Sequence, residues 1–112
     1  MGTKKLRPVH PGEILQHEFI KPLNLSRYKL AKELDVSAPT VSEIVRRRQA
    51  VTADMALRLS QYFGTTPQFW QNLQSQYDLE IATEEMGEYV RRSIRPLCRT
   101  PNYRSNSRAR AA

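Results

Sequence analysis

Helix start and stop signals recur along this chain at intervals too short for anything but a set of short helices. Pro11 stands at a first-turn position ahead of GEILQHEFIK, and Pro22 stops that segment. Ser26 caps RYKLAKELD, and Ser37 caps the stretch that follows after a very short turn. Thr52 caps ADMALRLSQYF, which ends at Gly64, and Thr66 with Pro67 opens PQFWQNLQSQYDLEIA. The apolar residues agree with this punctuation: Ile14, Leu15 and Phe19 form one stripe, and Leu30, Ala31 and Leu34 another. Val36, just before the Ser37 cap, is placed to staple onto Val41. No alternating pattern of useful length and no internal repeat competes, so the sequence predicts an all-α domain of five helices.

At 112 residues there is room for one compact domain and some tail. We divide the chain into an N-terminal arm (1–9), a helical domain (10–82) and a C-terminal extension (83–112). Met86, Tyr89, Val90 and Ile94 give the extension a short helix over 84–94, which Gly87 weakens and Pro96 limits. A flexible basic tail is expected beyond it, because LCRTPNYRSNSRARAA lacks the apolar residues to offset ordering entropy. The net charge is +7 from 18 basic and 11 acidic residues, and the extension, with seven Arg against three Glu, is more basic per residue than the 82 residues before it. Such a balance favours polyanionic partners.

Other classes are excluded by what the residues lack. No apolar run approaches the roughly 20 residues of a membrane span, and the N-terminus has no apolar segment of signal-peptide type, so a cytoplasmic protein without membrane association is expected. Cys98 is the only cysteine, which leaves no internal disulfide and no cysteine-based zinc site. His10, Glu13 and His17 make a poor metal cage on one short helix, and His10 before Pro11 is better placed to cap it. No phosphate-binding loop or motif-placed nucleophile and base is present, so neither a cofactor nor an enzyme activity is expected.

The stretch VSAPTVSEIVRRR, residues 36–48, carries the functional signal. With Val41, Ile44 and Val45 turned inward, the opposite face holds Pro39, Glu43 and Arg46, flanked by Thr40, Ser42 and Arg47, with Ser37 and Ala38 in the first turn. Small residues early and arginines late suit a helix whose first turns approach base edges while its end meets phosphate. Pro39 either offers a stiff apolar surface to a thymine methyl or only defines the helix start. Glu43 either accepts from cytosine N4 or pairs with Arg46 or Arg47. Arg46, Arg47 and Arg48 exceed what the helix dipole requires, and Arg27 and Lys29 fall where the same duplex would pass.

The helix pair over residues 26–35 and 37–46 resembles the lambda-repressor-like, Xre-type helix-turn-helix. Together with HPGEIL before it, TADMALRLSQYFGTTPQFWQNLQ after it and YDLE at the end, it is similar to the HigA/VapI group of antitoxins over residues 10–82. The resemblance implies a five-helix lambda-repressor-like domain that dimerises and binds an inverted repeat of double-stranded DNA in its own promoter. It also implies a protein partner, a HigB-type mRNA-cleaving toxin that the antitoxin neutralises. A stand-alone Xre-type transcriptional regulator with no toxin is the alternative. Matched position by position, the DNA-facing residues are Arg27, Ser37, Ala38, Pro39, Thr40 and Glu43, with Arg46 on the backbone. The chain departs from the group where an Asn-Gly-like turn usually follows the reading helix. Arg46 and Arg47 stand there instead, and because a left-handed stop is harder for Arg than for Gly, a reading helix a residue or so longer is expected.

Trp70, Phe69, Leu73 and Tyr77 form a broad stripe that is chiefly core packing, with Trp70 or Tyr77 as candidates for a dimer or toxin interface. The basic tail is read first as a solvated arm, and after that as a nonspecific DNA clamp or a toxin-binding segment.

Overall fold

The computed structural model describes residues 7–97, and within them every regular element is helical. Helix α1 (Pro11–Ile14) passes directly into a π-helical segment, Leu15–Ile20. It is followed by α2 (Arg27–Leu34), α3 (Ala38–Val45), α4 (Ala53–Phe63) and α5 (Pro67–Ser93). The five expected helices are therefore present, and their caps are the expected ones. Ser26, Ser37, Thr52 and Thr66 each accept the backbone N–H three residues on, which satisfies one donor that the first turn would otherwise leave unpaired.

Their apolar faces meet in one core. Leu15, Leu30, Val41, Ile44, Ala56, Leu59 and Trp70 have no exposed surface, and Ile20, Ala31, Leu34, Val51 and Met55 complete the cluster. Phe19 lies between Phe63 and Trp70, at ring-centroid separations of 4.7 and 5.4 Å. Val36 and Val45 pack at its edge, as expected of the staple and of the inward face of α3.

Two features differ from the sequence expectation. Helix α5 does not stop near Ala82; the helix expected over 84–94 is its continuation, ending at Ser93. Extending a formed helix is easier than starting a new one, so the roughly 1 kcal/mol cost of Gly87 does not break it. Side-chain bonds from Gln74 to Asp78 and from Gln76 to Glu80 run along the same helix. The tail beyond Leu97 lies outside the described residues, as does most of the N-terminal arm.

The second difference is at the end of α3. The helix does not run long but stops at Val45, and Arg47 adopts φ 65°. The N–H of Arg48 bonds the Glu43 carbonyl at 2.8 Å and that of Arg47 bonds the Ile44 carbonyl at 3.0 Å, which together form a Schellman closure. The same closure ends the π-helical segment at Asn24 and α2 at Asp35. Asn and Asp tolerate the left-handed region; Arg47 is held there by the two hydrogen bonds of the closure, its own and that of Arg48.

Candidate nucleic-acid interface

Two short connections define the unit that carries the interface. Asp35 turns the chain out of α2, and Val36 and Ser37 lead straight into α3. The α2 end is tied down from outside the pair: Arg58 of α4 donates to the carbonyls of Leu34 at 2.8 Å and Asp35 at 3.2 Å, and is itself held by Asp54 at 2.9 Å. Val41 and Ile44 anchor α3 from beneath. On its far end, Val51 is pinned to α5 by two glutamines. Its N–H donates to Gln74 Oε1 at 2.7 Å, and its carbonyl accepts from Gln71 at 3.3 Å.

The opposite side of α3 is available to solvent. Ser37, Pro39, Arg46, Arg47 and Arg48 are exposed, and Arg27, Ala38, Thr40, Ser42 and Glu43 are half-buried. Ser37 and Thr40 are not free hydroxyls: their oxygens are 2.8 Å apart, and Ser37 also takes the Thr40 N–H. Glu43 pairs with Arg46 at 4.0 Å along the helix. An exposed pair of this kind is worth about 0.2–0.5 kcal/mol, so it leaves both groups open to exchange partners. The face therefore offers small and hydroxyl side chains at its start, one carboxylate in its middle and cations at its end.

Behind α3 lies a contact the sequence reading did not find. A side chain at Gly12 would place its Cβ 1.9 Å from the Ile44 carbonyl oxygen, so α1 rests directly against the backbone of the last turn of α3. His10 caps α1 as expected. Its Nδ1 accepts the Gly12 N–H at 2.8 Å while Glu13 returns a bond to the His10 N–H, closing a capping box. The ring is buried and meets Tyr77 edge-on at 4.8 Å. Burial holds the imidazole below its ordinary pKa, opposed mainly by the nearby Glu13 carboxylate. With Nδ1 committed to the cap, His10 has a structural role at the start of α1. Glu13 is held below the usual carboxylate range, chiefly by its hydrogen bonds from Arg7.

Trp70 must be reassigned. It has no exposed surface, and its indole N–H donates to Thr65 at 2.8 Å, so it belongs to the core and has nothing to offer a partner. Tyr77 remains partly accessible beside His10.

A helix-turn-helix family model matches residues 17–70, which span the π-helical segment through the start of α5. Virulence-associated protein I of Dichelobacter nodosus is 48% identical over 84 residues, covering 75% of this chain and 78% of that one. The chain belongs to the HigA/VapI group of Xre-type helix-turn-helix proteins. Among solved structures, the Pseudomonas aeruginosa antitoxin HigA with the higBA promoter superposes with a TM-score of 0.80 at 50% identity, covering 82% of this chain and all of that one. The antitoxin GraA in complex with its operator gives the same TM-score at 45% identity, over 88% of this chain and 100% of its own. The HigA/VapI group consists of DNA-binding proteins and not enzymes, which accords with a solvent-facing α3 of this composition. No helix among the described residues is long and apolar enough to cross a membrane.

Proposed function

We propose that this HigA/VapI-type protein is an antitoxin that represses its own operon as a dimer and neutralises a HigB-type mRNA-cleaving toxin. The observation that carries the reading is the solvent-facing side of α3 on a scaffold that matches an antitoxin solved with its promoter DNA. In this reading Ser37, Ala38, Pro39, Thr40, Ser42 and Glu43 approach base edges in the major groove, and Arg27, Arg46 and Arg48 meet the phosphates on either side.

Dimerisation is part of the proposal, since an inverted repeat needs two reading helices about 34–36 Å apart. Support comes from the C-terminal part of α5 and the residue that follows it, where Leu79, Met86, Tyr89, Val90 and Ile94 are between 41 and 65% exposed. Large apolar side chains spaced along one projecting helix are more extensive than a monomer requires.

The deciding experiment co-expresses the small open reading frame adjacent to this gene with and without this protein. Growth arrest by that frame, relieved by this protein, supports the antitoxin reading. A harmless frame, or failure to relieve the arrest, leaves a stand-alone regulator. Sedimentation as a monomer both alone and on DNA would refute the dimer.

A further inference from the structure

Glu13 sits where three pieces of the chain meet. Its carboxylate accepts from both terminal nitrogens of Arg7, at 2.8 and 2.9 Å, and from the backbone N–H of His10 at 3.3 Å. Arg47 Nη1 stands 3.8 Å from the same carboxylate. The Glu13 side chain is only 15% exposed, against 64% for Arg7 and 50% for Arg47. One carboxylate therefore ties together the segment before α1, the α1 cap and the residue that closes α3.

Its location explains why two guanidinium groups are needed. Gly12, the neighbour of Glu13, touches the Ile44 carbonyl, so the carboxylate lies near the C-terminal end of α3. That end carries the negative pole of the helix, and an anion beside it is unfavourable unless cations intervene. Arg47 supplies one from the turn that closes α3. Its guanidinium reaches across to α1, whereas Arg46 pairs along its own helix with Glu43.

We propose that Glu13 and Arg47 are positioning residues for DNA recognition: their pair fixes the pose of α3 against α1, and Arg47 acts through α3 instead of on phosphate. The proposal rests on α3 being the DNA-reading helix. The Glu13 carboxylate thus competes with phosphate for the half-exposed Arg47 guanidinium and biases it away from the basic run.

The test measures affinity by fluorescence anisotropy for two duplexes, one spanning the DNA immediately upstream of the gene and one of the same composition shuffled, across a range of salt. Arg46→Ala is expected to weaken both alike and to reduce the logarithmic salt slope by about 0.9 for the lost phosphate contact. Arg47→Gln and Glu13→Gln are expected to leave the slope near that of the wild type while lowering the preference for the upstream duplex about fivefold or more. The double variant should show no lower preference than Glu13→Gln alone, because Arg47→Gln then removes a pair that the loss of the Glu13 charge has already removed. A merely structural role would lower the thermal midpoint without moving that preference. Arg47 is exposed, so Arg47→Gln carries the test alone if Glu13→Gln fails to fold. A slope reduced by about 0.9 in Arg47→Gln, with the preference intact, makes Arg47 a phosphate contact and overturns the proposal. An unchanged preference in Arg47→Gln overturns it too. Wild-type protein that binds both duplexes alike refutes α3 as a reading helix first, and this role with it.

Discussion

Gly12→Ala tests how tightly α1 supports the reading helix. The added methyl would lie 1.9 Å from the Ile44 carbonyl oxygen and 2.7 Å from its carbon, whereas real Cβ contacts essentially never fall below 3.0 Å. The two backbones must therefore separate by about 1 Å, and neither contact atom belongs to a side chain that could rotate away. Overpacking of well-filled sites costs typically 1–3 kcal/mol, and contact with fixed backbone puts this one at about 3. Alanine returns up to roughly 1 kcal/mol because it restricts the unfolded chain. The clash wins, leaving a loss of about 2 kcal/mol. For a domain of this size, about 4–8 °C per kcal/mol predicts a melting temperature lower by roughly 8–16 °C, read by circular dichroism. Because the clash lies under α3, affinity for the upstream duplex should fall even at temperatures where the variant is folded. A midpoint within about 2 °C of the wild type would mean that α1 is not seated on α3 as described.

Three other perturbations probe separate parts of the molecule. Gln74→Leu strands the buried N–H of Val51 without an acceptor and should cost about 1–3 kcal/mol in urea unfolding; no change would show that Val51 finds another partner. Burial depresses the His10 pKa in the folded state, where Glu13 and Asp78 favour its charge and Arg47 opposes it. The unfolded chain therefore takes up the proton first as acid is added. Stability should be full above the ordinary histidine value of about 6.5 and decline as the pH falls from there through the depressed folded value. His10→Asn, a cap that does not titrate, should flatten that decline, and an unaltered profile would place its cause elsewhere. Glu43→Gln should alter sequence preference more than total affinity, by about 1–3 kcal/mol at one base pair in a selection from randomised duplexes; an equal loss for every sequence would argue against base contact there.

The parts of this fold that were legible in the sequence are those whose chemistry is local. A hydroxyl at Ser26, Ser37, Thr52 or Thr66 caps a helix three residues away, and the inward spacing of Val41 and Ile44 leaves the other face of α3 to solvent. What escaped depends on partners distant in the chain. Nothing around Gly12 announces that its missing side chain accommodates residue 44, and nothing around Arg58 announces that it closes a helix ending 24 residues earlier. Trp70 looked like an anchor because size and aromaticity serve interfaces and cores alike; only the packing of Phe19 and Phe69 against it decides which. The end of α3 was misjudged for a subtler reason. The left-handed region disfavours Arg, but the helix could avoid it only by giving up the two closing hydrogen bonds.

That closure bears on why an arginine stands at residue 47. Holding an L-residue in the left-handed region costs roughly 1–2 kcal/mol, while a glycine there would widen the conformational freedom of the unfolded chain by about 0.5–1. A glycine would also forfeit the ion pair with Glu13, a further few tenths to about 1 kcal/mol. The terms come close to cancelling, so fold stability is nearly indifferent between the two residues. The difference that survives is the location of a positive charge: the residue at this turn decides where that cation sits and not how the chain bends.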